Sequence, residues 1–497
     1  MRHIVGVVFS VAAVLLVMMC MPRTGAIYTH DSQSYEYAAS TLLESGEMKY
    51  FGYDTPIIQW PPFYIFVSAA IKLAGVPFAQ GAAWVNAFAF AYLVYTASVF
   101  LFDCLNVKWL AVPALAMIII SVPLIFISGY AWSEMLFIFL SVLSIALILE
   151  YIKREKQSWL VAATVISSLC WLTRYIGIVV IGVSAIVLLI WVEPFWEKIK
   201  KTFVYMVFSC FPMALWVIRN YIFSETFTGG RLPGIYTFKD NADFSMETFK
   251  GWISFSNPMF AWISAALFAL FAMLAISMKK NSRKKKKSSP ELFAFFLYIV
   301  LYCGVLLISA SKSGMDPLDD RLWSPVFPFW IFTLVLAFDR LFSSIKMTKA
   351  VKWMAAGFTL SAVIAVVNPA IWLQSEGLPR KDALIGSKES PIAKQSPVLK
   401  FAMEHIKPDA DTLVISNKAS DFALHTNLKC YYPPKKNGIP LYSYSQYSER
   451  IENFKTIYLV WAGDPISESF MDIPEFREKY ELEKTAQNEY CIIYRLK

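Results

Sequence analysis

Charge is scarce in this chain, and histidine and paired cysteines are scarcer still. Only 17% of its 497 residues are Asp, Glu, Lys or Arg, fewer than the roughly 25% usual for a soluble domain. The four histidines and seven cysteines form no Cys-x-x-Cys and no His/Cys cluster, which leaves zinc and thiol redox chemistry without support. The net charge of +9 is no nucleic-acid footprint. From Gln374 onward there are 17 basic and 17 acidic residues, so the excess lies wholly in the preceding part. The run Arg283-Lys284-Lys285-Lys286-Lys287 could read as a patch for nucleic acid or anionic lipid, but it falls between two apolar segments. It therefore reads as a topology determinant.

What the chain has in abundance is apolar surface: 57% hydrophobic and 16% aromatic residues, with a mean hydropathy of +0.48. Crossing a bilayer as a helix takes about 17 to 25 apolar residues, because no backbone group can stay unpaired there. Eleven segments meet this length, near 4–21, 83–102, 109–128, 133–151, 158–173, 176–192, 203–219, 259–278, 291–310, 324–339 and 351–373. The predicted fold is an all-α polytopic membrane protein of about 11 helices over residues 1–373, followed by a small α/β domain over 374–497. Met1-Arg2-His3 before the first apolar run resembles a secretory signal, yet no small-x-small site follows it. That segment reads as a membrane anchor.

Lys and Arg set the orientation, since positive residues stay on the cytoplasmic side. With the N-terminus inside, short cytoplasmic loops hold 19 of them and the longer outer loops hold ten. The expectation is a cell-membrane protein with a cytoplasmic N-terminus and an extracytoplasmic tail. In the tail, residues 374–396 read as a linker and Pro397–Ile406 has helical spacing. Thr412–Ser416, Thr456–Trp461 and Tyr490–Arg495 read as strands, with no nucleotide fingerprint, catalytic triad or metal spacing among them. Cys430 and Cys491 are the tail's two thiols. Disulfide and unpaired core thiols both remain open for them.

The carboxylates are distributed unevenly: outer loops of the membrane part carry 13 and cytoplasmic loops seven. The first outer loop, residues 22–82, is far longer than a connector needs. In it Asp31 precedes Tyr35, Tyr37, Ala38, Ala39, Leu42 and Leu43, the spacing of an interfacial amphipathic helix. Trp60-Pro61-Pro62 makes an extended turn before a second short helix from Phe63 to Leu73. Glu134 opens the fourth span behind Ser133. Asp31 could simply cap its helix; Ser133 could cap the other, with Glu134 complementing the helix dipole. The alternative for both carboxylates is chemistry. Four arginines, Arg174, Arg219, Arg231 and Arg321, lie on the outer side, where positive charge should be rare. One such residue can be a snorkelling anchor, but guanidinium groups also bind phosphate in bidentate fashion. Arg321 and Arg174 are the strongest phosphate candidates.

These elements resemble the GT-C superfamily of glycosyltransferases that use polyprenyl-phosphate sugars. Within it they are similar to the bacterial branch related to protein O-mannosyltransferases and lipid A aminoarabinose transferases. The resemblance runs through Asp31-Ser32-x-x-Tyr35 with Ala38, Trp60-Pro61-Pro62-Phe63-Tyr64, Ser133-Glu134-x-Leu136-Phe137, Leu172-Thr173-Arg174-Tyr175, Trp216-Val217-Ile218-Arg219-Asn220 and Arg321-Leu322-x-x-Pro325. It implies inverting transfer of one sugar from a polyprenyl-phosphate donor to a glycan, lipid or protein acceptor on the outer face. By the same resemblance Asp31 is the general base and Glu134 orients the acceptor or, in a metal-dependent member, joins Asp31 around a divalent cation, Mg or Mn. The arginines Arg321, Arg174, Arg219 and Arg231 would hold the donor phosphate, and Tyr35, Trp60, Tyr64 and Tyr175 would line the cavity. Many protein mannosyltransferases carry Asp-Glu where this chain has Asp31-Ser32, and the aminoarabinose transferases have Lys where it has Trp60, so the acceptor stays open. The rival classes are a transporter or flippase for lipid-linked sugars, which usually places ionisable residues at the midplane, and a polysaccharide polymerase or ligase of the same architecture.

Overall fold

The computed structural model describes residues 1–22, 24–230, 233–253, 289–344, 397–407, 411–426, 428–435, 444–463 and 470–497. Nine of the eleven apolar segments are helical there, and 259–278 and 351–373 lie outside the described residues, as do the 283–287 basic run and the 374–396 linker. Among the described residues six helices are by themselves long and apolar enough to cross a membrane: Arg2–Cys20 (α1), Phe78–Cys104 (α4), Glu134–Arg154 (α7), Phe195–Ser224 (α10), Pro290–Lys312 and Asp320–Arg340. A seventh arises if Lys108–Ile119 and Val122–Ser128 count as one span bent by 49°. The bend falls where Pro123 enters the second piece, since proline cannot donate to the preceding turn and crowds its carbonyl. Gln157–Thr173 (α8) and Tyr175–Trp191 are apolar but shorter.

The first helix packs along α4 through small residues. Gly6 lies against Tyr95 and Ser98, Ser10 Oγ donates to the Ala91 carbonyl at 2.8 Å, and Arg2 pairs with Asp103. Close approach at small side chains is how helices associate in lipid, where burial of apolar surface drives little.

The long first outer loop is folded. His30–Ser45 (α2) and Phe63–Leu73 (α3) form the two expected short helices, and Lys49–Tyr50 (β1) pairs antiparallel with Thr55–Pro56 (β2) between them. The tail is a five-stranded sheet of order β4-β3-β5-β7-β6, built from Thr412–Ser416 (β3), Lys429–Tyr431 (β4), Thr456–Ala462 (β5), Leu482–Gln487 (β6) and Cys491–Leu496 (β7). Strand β3 runs parallel to β4 and β5, and β7 runs antiparallel to β5 and β6. Its alternation is clean, as period-two side-chain geometry requires. Val414, Cys430, Val460 and Ile493 share a core with Tyr35, Tyr53 and Tyr64 of the outer loop. Leu413, Ile415, Leu459 and Leu496 pack on the opposite face with Tyr447, Ile451 and Phe476. Cys430 and Cys491 are both free thiols. Three strand spacings part β4 from β7, roughly 14 Å, beyond disulfide reach.

The tail and the outer loop therefore share one hydrophobic core. The turn after β1 is the contact. Tyr432 N–H donates to the Gly52 carbonyl at 2.8 Å and Arg450 Nη1 to the Tyr53 carbonyl at 2.6 Å. Gly52 has φ +77°, and a side chain there would also collide with the Tyr432 ring. Glycine meets both demands.

Candidate active site

Two outer loops are stitched together before any charged group meets. Ile27 N–H donates to the Gly129 carbonyl at 2.8 Å and Ala131 N–H to the Ile27 carbonyl at 2.9 Å. Asn86 of α4 braces the second loop by donating to the carbonyls of Ser128 and Tyr130. Around the start of α2, Ser32 Oγ donates to the Ala131 carbonyl at 3.1 Å and Trp132 Nε1 to Thr29 Oγ1 at 2.8 Å. These bonds carry Asp31 to the beginning of α7, where Glu134 stands.

The helix-cap readings give way here. Thr29 is the N-cap of α2 and forms a capping box with Ser32, while Asp31 lies in the first turn. Ser133 makes no side-chain cap bond to α7. Its hydroxyl lies 3.3 Å from Tyr35 Oη and accepts from Arg174 Nη1 at 3.3 Å.

Arg321 joins the two carboxylates. Its Nη2 donates to Asp31 and its Nε to Glu134. Arg174, at the end of α8, pairs with the same Glu134 oxygen at 2.6 Å. The result is an alternating chain of charge, Asp31, Arg321, Glu134, Arg174. Solvent exposure is uneven along it: the Glu134 side chain is 0% exposed, against 22% for Asp31, 22% for Arg321 and 19% for Arg174. Solvent reaches Asp31 and the arginines, while Glu134 is wholly buried. The second Glu134 oxygen has no hydrogen-bond partner among the described residues.

Arg321 is held rigidly. It belongs to a short helical turn, Asp320–Trp323, capped by Asp319, whose carboxylate accepts from Arg321 N–H at 3.0 Å. Trp252 Nε1 donates to Asp320 at 2.6 Å and Tyr302 Oη to the Leu322 carbonyl at 3.1 Å. The guanidinium lies 4.0 Å from the Trp132 ring centroid, a cation–π contact, and Trp132 stacks on Tyr130 at 4.0 Å. Trp132 and Tyr302 had no predicted role; the one signal for Trp132 was an aromatic residue two positions before Glu134.

The remaining predicted residues divide. Tyr35 packs against Trp60 and Tyr64, with ring centroids at 5.6 and 4.8 Å. Tyr35 and Tyr64 are buried while Trp60 keeps partial exposure. Tyr175 and Arg219 form a separate group. Tyr175 Oη donates to the Ile58 carbonyl at 2.9 Å and takes hydrogen bonds from Trp216 and Asn220. Arg219 donates to the Ile57 carbonyl and lies over the Trp216 and Phe223 rings at 4.5 and 5.0 Å. Among the described residues Arg219 has no carboxylate partner, and this group grips the segment leading to Trp60. Arg231 lies outside the described residues.

A divalent cation fits poorly between Asp31 and Glu134. Such ions take six or more oxygens, whereas here a guanidinium already spans the two carboxylates. Among the described residues no three His, Cys, Asp or Glu side chains converge.

His30, next to Asp31, was not predicted either. Its ring packs on Tyr50, Phe51 and Tyr432 with centroids at 6.3, 6.4 and 5.6 Å. Loss of solvent around the imidazole lowers its pKa, opposed by Asp31 and reinforced by Lys435 of the tail. Lys435 itself is lowered by burial.

No protein-family model matches the chain, and no curated protein sequence does. Solved structures do match it over nearly its whole length. ArnT from Cupriavidus metallidurans bound to undecaprenyl phosphate aligns with a TM-score of 0.62 and 12% identity, over 98% of this chain and 97% of that one. An Archaeoglobus fulgidus oligosaccharyltransferase in complex with zinc and sulfate gives 0.52 and 13%, over 97% and 72%. The mycobacterial arabinofuranosyltransferase AftD gives 0.53 and 12%, over 98% of this chain but 41% of that one. All three are proteins of the GT-C superfamily, and the chain has their fold.

Proposed function

We propose that this protein is an integral-membrane inverting glycosyltransferase. It moves a single sugar from a polyprenyl-phosphate donor to an acceptor on the extracytoplasmic face. One observation carries the reading: a solvent-reachable carboxylate, Asp31, sits beside a solvent-reachable guanidinium, Arg321, in the outer loops of the fold. Base and phosphate binder are thus neighbours. The shared fold with ArnT, a protein bound to undecaprenyl phosphate, supports a lipid-phosphate donor.

In this reading the acceptor hydroxyl or amine gives its proton to Asp31 as its lone pair attacks the anomeric carbon. The bond from that carbon to the phosphate oxygen breaks on the opposite side, so the configuration inverts. The departing electron pair stays on the polyprenyl phosphate, whose charge Arg321 and Arg174 stabilise. A phosphate is already a good leaving anion, so no strong general acid is required. Glu134 orients the two arginines from behind, and no metal takes part. The acceptor is a cell-envelope lipid, glycan or protein. In this reading about eleven spans, oriented by the positive-inside bias, leave the N-terminus inside and the tail outside.

The test is direct. Purified protein in proteoliposomes is given radiolabelled polyprenyl-phosphate sugars and an envelope extract as acceptor. The expected result is label in the acceptor fraction with release of polyprenyl phosphate. Transport of intact lipid-linked sugar without release of the phosphate carrier would overturn the reading in favour of a flippase.

A further inference from the structure

The tail touches the residue next to the candidate base through an aromatic contact. Tyr432, just after β4, stacks on Tyr53 at 5.8 Å and on Phe470 at 5.8 Å, and its ring lies against His30. Tyr50 continues the stack by lying on Tyr53 at 5.7 Å. His30 is the first residue of α2, and Asp31 is the second. The tail also holds α2 at Gln33, whose Nε2 donates to the Ser420 carbonyl at 3.1 Å. Arg450 fastens the tail to the Tyr53 carbonyl, one residue before Asp54, which accepts from Tyr37 of α2.

We propose that Tyr432 and His30 are positioning residues: the tail presses the Tyr432 ring on His30 and so fixes the first turn of α2, holding Asp31 against Arg321 and in line with the acceptor. This rests on the reading of Asp31 as the base. The tail then belongs to the catalytic scaffold, besides whatever it does for the acceptor. Deleting the ring frees the turn that carries Asp31, and a misplacement of about 1 Å at a reacting group costs on the order of 100-fold in rate. The stack needs the ring and not the hydroxyl, which lies 2.6 Å from Ser420 Oγ.

Two readouts test this on the full-length protein. The first is modification of Asp31 by a water-soluble carbodiimide with glycine ethyl ester, read by peptide mass. The second is the split of transfer kinetics into kcat and donor KM. Tyr432→Ala and His30→Ala should each raise labelling of Asp31 severalfold and lower kcat by about 10-fold or more, leaving donor KM within about twofold. Tyr432→Phe should behave as wild type. The double variant Tyr432→Ala/His30→Ala should lose no more than either single, as expected for partners in one contact. His30→Ala keeps the tail's own packing intact and carries the test should Tyr432→Ala fail to fold. Unchanged labelling in a folded His30→Ala variant, equal losses in Tyr432→Phe and Tyr432→Ala, or additive losses would each overturn the proposal. Should wild type transfer no sugar while the labelling pattern holds, the base reading falls and the positioning stands.

Discussion

Arg321 is the ion-pair partner of Asp31, although 290 residues separate them in the chain. On the proposed reading Asp31 is at rest while bonded to this guanidinium, because its carboxylate oxygen has to be freed before it can take the acceptor's proton. Asp31→Asn removes the base and keeps the shape. Transfer from a polyprenyl-phosphate sugar should fall by about 10²–10⁴-fold, the usual contribution of a positioned base. Donor KM should stay level or drop, since Arg321 loses a competitor for the phosphate. Undiminished transfer by this variant would remove Asp31 from the base role.

The proposed roles also order the substrates: a donor phosphate that binds Arg321 would draw it away from Asp31, so the base would become available once the donor is bound. Initial-rate kinetics should show donor binding before acceptor. Arg321→Ala should raise donor KM by about 10-fold or more, and Arg321→Lys should fail to restore it, because an ammonium cannot span Asp31 and Glu134 or hold phosphate with two parallel bonds. Random binding order together with unchanged donor kinetics would take Arg321 out of the phosphate site.

Nine of the eleven apolar segments were legible as helices because helix length is dictated by bilayer thickness, and so were the two short outer helices with their spaced aromatic residues. Asp31, Glu134, Arg174 and Arg321 were legible as isolated charges, since outer-side arginines break the positive-inside bias. Their pairing was not. It depends on the bonds from Ile27 to Gly129 and Ala131, backbone contacts without a side-chain signature, and on the Asp319-capped turn that presents Arg321. Arg219 has the same sequence signal as Arg174, yet it braces the Ile57 carbonyl. His30 and Tyr432 were invisible because their meeting spans the whole chain. Strands β4 and β6 were missed because β4 is three residues long and β6 is a polar sheet edge, so neither shows a hydrophobic run.

Glu134 should matter more to stability than Asp31. Its side chain is wholly buried and compensates two arginines at once. Breaking a buried pair by removing one partner costs on the order of 3–5 kcal/mol, because the remaining charge is stranded. Glu134→Gln should lower the melting temperature clearly and raise donor KM as both guanidinium groups drift, whereas Asp31→Asn should leave thermal stability near wild type. Thermal unfolding of the two variants in the same detergent gives the comparison. Equal melting temperatures would mean that Glu134 does not organise the arginines.

Metal independence is the expectation from the position of Arg321. A divalent ion between Asp31 and Glu134 would have to displace a guanidinium bonded to both. Transfer should therefore survive exhaustive treatment with a chelator, and added Mg or Mn should change the rate by less than about twofold. Loss of activity on chelation, recovered by one of these ions, would show that Arg321 moves aside for a metal.

Sidedness can be argued from packing and charge together. Because Tyr432 and Arg450 of the tail bond to the Gly52 and Tyr53 carbonyls of the first outer loop, the tail and Asp31 must share one side of the membrane whatever the number of spans. The bias of 19 basic residues against ten in the loops between spans predicts that this side is the exterior. A tag placed after Lys497 should be removed by protease added to intact spheroplasts, and a cysteine introduced at Glu47, in the exposed end of the same loop, should react with an impermeant maleimide. Protection at both positions would invert the topology and move the transfer reaction to the cytoplasm. Protection at one alone would mean that the tail and the loop do not dock.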